Sequence, residues 1–171
     1  MSFFSHLCRV KQMKQNTMNN TKPILGTEFQ TQLSPHFTLR EFIVSGVALR
    51  RHIDNTPADP AVVDHLRLLA EKVLEPLRRH FGVIRITSGY RCPRLNAAVG
   101  GRPASQHLRG EAADIHISSA EVGEKMFRFI EENLDFDQLL FEHSMRNGCR
   151  WLHVSCREAG NRHEAISDYK A

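Results

Sequence analysis

Apolar residues recur along this chain at two distinct periods. Between Pro60 and Phe81, the residues Val62, Leu66, Leu69, Val73 and Leu77 fall three or four positions apart. That is the spacing of one face of an α-helix. Asp59 supplies an N-cap, Pro60 suits the first helical position, and Gly82 marks the end. Pro76 interrupts the pattern: it lacks an N–H and crowds the carbonyl four residues back, so a kink or an early end is expected there. A second amphipathic helix is expected to open at a capping box, Ser118-x-x-Glu121, and to run through Asn133. Its inward face would carry Val122, Met126, Phe129 and Ile130. Two shorter helices are predicted. One follows Ser34 or Thr38 and places Leu39, Phe42 and Ile43 on one side; the other spans Arg94 to Val99 and closes at Gly100-Gly101.

Elsewhere the period is two. VIRIT (83–87), Ala112 to Ile117, FDQLLFE (136–142) and CRWLHVS (149–155) read as strands, the last two separated by the turn-forming HSMRNG. Helices and strands come in irregular order, which predicts an α+β fold rather than a chain of βαβ units. Residues 1–32 (KQMKQNTMNNTK, then TEFQTQ) show no periodicity. They are expected to form a disordered or loosely packed leader, ahead of a single domain over residues 33–171. Met18 offers an alternative start.

Composition narrows the function classes. At 171 residues with 41% hydrophobic and 25% charged positions, the chain can bury one real core. No apolar run reaches the roughly 18 residues that span a bilayer, so no membrane insertion is expected. In MSFFSHLCRVKQMKQ the basic residues follow the apolar patch and no small-residue cleavage site appears, unlike a secretory signal. The net charge is +4 and the pI about 9.1, which suits an anionic polymer. The bases lie in short pairs (Arg50-Arg51, Arg78-Arg79) with no aromatic-basic motif, so nucleic acid is not an expected partner. Cys8, Cys92, Cys149 and Cys156 form no CxxC pair and are expected as free thiols.

Candidate chemistry centres on SQHLRGEAADIHI (105–117). His107 and Asp114 lie seven positions apart with Gly110 between them, so the chain can fold back there and bring a loop imidazole to a strand carboxylate. A catalytic zinc takes three protein ligands and keeps one position open. His153, in the strand WLHVS, is a candidate third. Taken alone, such a His-x6-Asp pair fits an ordinary loop and strand equally well, and His153 an ordinary core position.

The words TSGYRCPRLNAAVGG, SQHLRGEAADIHI, FDQLLFE and WLHVS together resemble the zinc D-alanyl-D-alanine carboxypeptidases and related phage endolysins. The likeness runs from about Leu33 to Ser155. It implies the hedgehog/DD-peptidase fold, a small antiparallel sheet flanked by helices. It also implies Zn2+ as cofactor, held by His107, Asp114 and His153 of the pattern S-x-H-x-x-G-x-A-x-D plus a later strand histidine. Arg91 of SGYR matches the arginine that holds the substrate's carboxylate, a task suited to a guanidinium fork, and Ser105 lines the same cleft or bonds its own loop. The implied reaction is hydrolysis of peptidoglycan stem peptides by a monomer, either as a D-Ala-D-Ala carboxypeptidase or as a related endopeptidase. The setting would be phage or prophage lysis or wall remodelling, with the protein cytoplasmic until lysis or until export by an unrecognised route. The metal would acidify a water and polarise the scissile carbonyl.

One departure concerns the acid/base. Related enzymes carry Glu-x-x-His at the last ligand, but Arg150 occupies the glutamate's position here. Glu142 is the expected substitute. If FDQLLFE and WLHVS form a hairpin with Glu142 opposite Trp151, Leu140 faces His153 and Glu142 is its diagonal neighbour; a one-residue slip would turn Glu142 away. His143 is the runner-up. His116 is a candidate to orient Asp114, Asp137 and Gln138 to tie a strand end to a loop, and Gln106 and Trp151 to line the cleft. The rival class is a non-catalytic, zinc-stabilised module that grips peptidoglycan or builds a virion.

Overall fold

The computed structural model describes residues 30–144 and 148–167. Most of the expected leader, residues 1–29, lies outside the described residues, as does the centre of the HSMRNG turn. A two-stranded hairpin, β1 (Gln32–Ser34) and β2 (Phe37–Thr38), leads into helix α1 (Leu39–Ile43) and helix α2 (Gly46–Arg50). Thr38 is the N-cap of α1, and the Glu41 carboxylate accepts from both its backbone N–H and its hydroxyl. Ser34, the other capping candidate, instead donates its hydroxyl to the buried Glu75.

The long helix forms, and Pro76 does not end it. Helix α3 (Pro60–Leu69) passes through a π-helical turn, Ala70–Leu74, into α4 (Glu75–Phe81). Inside the π turn, the Glu75 N–H bonds to Ala70 O, five residues back. The widened turn restarts the hydrogen-bond ladder so that Pro76 falls in the first turn of α4, where its missing N–H costs nothing. Gly82 ends α4 with φ +84°, and its N–H donates to Arg78 O.

Strand β3 (Ile86–Ser88) starts three residues later than the VIRIT alternation suggested, and Val83 is exposed. Helix α5 (Pro93–Ala98), a 3-10 turn (Gln106–Arg109), β4 (Ala112–His116) and helix α6 (Ala120–Asn133) follow. The α6 cap is Ser119 and not Ser118: its hydroxyl accepts from the Val122 N–H. The chain ends its described course in β5 (Gln138–His143), β6 (Arg150–Ser155) and β7 (Glu164–Ser167).

The main sheet has the order β3-β4-β6-β5-β7, antiparallel throughout except for β7, which runs parallel to β5. This is the expected α+β architecture with a small, mostly antiparallel sheet. Alternation gives the sheet two unlike faces. Ala113, Ile115, Leu139, Phe141, Leu152 and Val154 are buried in one core cluster with Leu66, Leu69, Val73, Leu74 and Leu77 of the long helix and Met126, Phe127 and Ile130 of α6. The other face carries Asp114, His153, Leu140, Trp151 and Glu142. Among the described residues, no helix is long and apolar enough to cross a membrane, and Cys92 and Cys156 are free thiols.

Gly110 fixes where the loop before β4 lands. It adopts φ +73°, and a Cβ there would stand 2.6 Å from Val62 O of α3. Gly110→Ala therefore meets both left-handed strain and a backbone contact. It is expected to cost about 2 kcal/mol or more, read as a lowered midpoint in urea unfolding.

Candidate metal centre

Three side chains from two strands and a loop converge on the polar face of the sheet. Asp114 of β4 and His153 of β6 are direct cross-strand partners. His107 reaches them from the 3-10 turn, which Gly110 folds back onto α3. One ligand atom from each lies within 4.8 Å of the others. His107 Nε2 stands 3.2 Å and His153 Nδ1 3.0 Å from the same oxygen, Asp114 Oδ1. All three residues are buried, at 3%, 8% and 8% relative exposure.

The donor chemistry fits a cation. His107 Nδ1 lies 2.6 Å from Gly89 O, a carbonyl that can only accept, so the ring proton sits on Nδ1. In that tautomer the Nε2 lone pair is aimed at a carboxylate oxygen. Two acceptors at 3.2 Å repel unless a proton or a metal ion lies between them. For tetrahedral zinc with bonds of about 2.0–2.1 Å, neighbouring ligand atoms are about 3.3 Å apart, close to the two spacings observed. A backbone carbonyl fixing the tautomer and orientation of a ligand histidine is a recurrent partner arrangement at metal sites.

The shell around the cluster is built by specific contacts. Arg91 donates from Nη2 to Asp114 Oδ2 at 2.5 Å and from Nε to Ser88 Oγ at 2.8 Å. Arg91 thus grips the outer oxygen of the carboxylate whose inner oxygen faces the imidazoles. Burial opposes the Asp114 charge, but His107 and His153 beside it prevail and hold its carboxyl well below the usual carboxylate range. Gly89 needs to be glycine because its loop presses on α1: a Cβ would sit 2.6 Å from Phe42 O.

Asn55 was not singled out by the sequence, being one polar residue in a turn-rich stretch. It is buried and makes three bonds, donating from Nδ2 to Ile43 O and Tyr90 O and accepting at Oδ1 from the Cys92 N–H. These flank Arg91 on both sides and fix the loop that carries it.

Asp137 holds the His107 turn from below. Fully buried, it accepts from Gln106 Nε2 at 2.9 Å, from Arg157, and from the side chain and backbone of Arg162. Burial alone would raise its pKa, yet the bonds from Arg162 and Arg157 hold it well below the ordinary range. A depressed folded-state pKa gives stability that is present above the unfolded-state value of about 3.9 and is lost as pH falls below it. Asp137→Asn is expected to cost about 2 kcal/mol at neutral pH, and a smaller amount near pH 3, when followed by urea unfolding.

The remaining sequence candidates sort by strand register. Glu142 pairs with Trp151 and Leu140 with His153, the register in which Glu142 is the diagonal neighbour of His153. Trp151 Nε1 donates to Glu142 Oε2 at 2.9 Å. His143, one position on, projects to the opposite face of β5 and is exposed. His116 shares the Asp114 face, paired with Trp151, and is also exposed. Ser105 caps the 3-10 turn, its carbonyl accepting from the Leu108 N–H. Gln138 Nε2 donates to Glu164 of β7, away from the cluster.

The model of the Peptidase M15 family matches residues 35–155, a span that includes every member of this cluster. The chain belongs to the Peptidase M15 family. This is the zinc D-Ala-D-Ala carboxypeptidase type of family that the sequence words resemble. No curated protein matches the chain. Membership supports a metallopeptidase, and M15 peptidases typically depend on zinc, which agrees with the nitrogen and oxygen donors gathered here. The M15 match ends at Ser155, the last residue of β6, so β7 and the arginines that grip Asp137 lie beyond it.

Proposed function

We propose that this chain is a zinc metallopeptidase that hydrolyses peptidoglycan stem peptides, as a D-Ala-D-Ala carboxypeptidase or a related endopeptidase. The observation that carries the reading is the convergence of His107 Nε2 and His153 Nδ1 on Asp114 Oδ1, with His107 pinned by Gly89 O so that its lone pair faces inward.

Zinc held by His107, Asp114 and His153 would supply Lewis acidity, polarising the scissile carbonyl and acidifying the attacking water. Glu142, on the same sheet face and steadied by the Trp151 indole, is the proton carrier in this reading. Its carboxylate takes a proton from water as the oxygen adds to the carbonyl carbon. It then returns that proton to the amine nitrogen as the C–N bond breaks. Arg91 has two N–H groups committed to Asp114 and Ser88. The remaining Nη1 edge suits the substrate's carboxylate, so one guanidinium would tie the peptide to the metal ligand.

The test is a metal-content measurement on the purified chain together with release of D-alanine or shorter peptides from L-Ala-γ-D-Glu-L-Lys-D-Ala-D-Ala. Expected are one zinc per chain, cleavage, and loss of cleavage on dialysis against chelator with recovery on adding zinc. Bound zinc without cleavage of this peptide or of purified wall would favour the non-catalytic module, to which Arg150 at the Glu-x-x-His position lends its support. A chain that binds no zinc would sink both readings.

A further inference from the structure

Beside the metal cluster, on the far side of Arg91, lies a pocket of about 290 Å3. It opens between α2 with the turn before it, the edge strand β3 and α5. The volume is at the lower bound of small-molecule sites, the size for one or two residues of a peptide. Its walls are apolar, formed by Val44, Val47, Leu95 and Val99. Val44 and Val99 stand 46% and 42% exposed, large fractions for aliphatic side chains that rim a concavity.

The polar lining is one-sided. Arg91 and Arg50 both contribute, and no acidic residue does. Arg91 is tethered to Ser88 and Asp114, and therefore forms the partition between the pocket and the metal cluster. Arg50, the last residue of α2, makes no ion pair among the described residues. Two guanidiniums in a concave, largely apolar surface favour an anion, and the fork geometry favours a carboxylate. The aliphatic walls suit the methyl or methylene groups that such a residue carries.

We propose that this pocket is a subsite for a carboxylate-bearing residue of the peptide substrate, with Arg50 pairing the carboxylate. The proposal rests on the peptidase reading for the identity of the ligand, but not for the existence of the site. Two carboxylates of a stem peptide have the required chemistry, the C-terminal one and the α-carboxylate of the γ-linked D-glutamate.

The experiment compares three forms of L-Ala-γ-D-Glu-L-Lys-D-Ala-D-Ala: unmodified, amidated at the C-terminus, and amidated at the glutamate α-carboxylate. Each is titrated calorimetrically into the zinc-reconstituted chain and its Arg50→Ala and Arg50→Lys variants, and each is assayed for kcat/KM. Wild type is expected to lose about tenfold in affinity on amidation of the carboxylate that Arg50 pairs, and the amidation whose effect depends on Arg50 identifies it, apart from any loss at the carboxylate held by Arg91. Arg50→Ala is expected to bind that form and the unmodified peptide equally, and Arg50→Lys to restore part of the difference. Equal discrimination by wild type and Arg50→Ala, or none by either, overturns the subsite. If discrimination depends on Arg50 but no form is hydrolysed, the subsite stands and the peptidase reading falls. If hydrolysis proceeds with ratios indifferent to Arg50, the reverse holds.

Discussion

Asp114→Asn is expected to reduce zinc affinity by a hundredfold or more and to bring peptide hydrolysis to background. The Oδ1 atom is the point on which both imidazoles converge, and Oδ2 is the acceptor for Arg91. The amide keeps the shape but loses the charge that a divalent ion requires, and if its NH2 group faces the histidines it blocks the position outright. The same change leaves the partly buried Arg91 without its carboxylate, so the metal-free variant should also lose about 3 kcal/mol of stability. Metal content after dialysis, peptide hydrolysis and urea unfolding read the three effects separately. A variant that keeps stoichiometric zinc would show that Asp114 is no ligand, and the proposed centre would fail with it.

Glu142→Gln should behave in the opposite way. Zinc content is expected to stay at the wild-type level, because Glu142 lies a register row away from the cluster. Turnover is expected to fall by about 10²–10⁴-fold, the usual contribution of a positioned general acid/base. The amide can still accept the Trp151 N–H, so the strand pair should hold its register. Trp151 is the only tryptophan of the chain; its emission therefore reports on this one contact, and a shift between wild type and Glu142→Gln is expected. Near-normal turnover would remove Glu142 from the reaction. Loss of zinc together with activity would make it part of the metal site instead.

These predictions draw on information legible at different levels. The two strand words allowed the register that puts Glu142 beside His153 but also a one-residue slip; the pairing of Glu142 with Trp151 chose between them, because alternation fixes a face once one pair is fixed. The helix from Pro60 was legible from its cap and apolar stripe. Its survival past Pro76 was not, since the π turn that absorbs the proline is a property of the ladder and of the packing on both sides. Ser118 and Ser119 are indistinguishable as caps by composition, and only the backbone geometry chose Ser119. Strand β7 gave no signal because EAIS is short and its partner is β5, far back in the sequence.

Arg91 and Asn55 mark the same divide at the site. The sequence words marked Arg91 for a carboxylate, but that Asp114 would be its partner within the chain needed the β3–β4 pairing. Asn55 carries no pattern at all, as buried polar groups are defined by the contacts they satisfy and not by their neighbours in the chain.

By itself the sequence determined the longer helices and strands and the alternation that gives the sheet two faces, since these depend on local periodicity, while the words shared with a known family marked the three donors. Tertiary structure alone decided which atoms face one another: Nε2 of His107 because Gly89 O holds the other nitrogen, Oδ1 of Asp114 because Arg91 holds the other oxygen. Those choices are made by groups from separate segments competing for the same lone pairs and protons, and only the folded chain brings the competitors together.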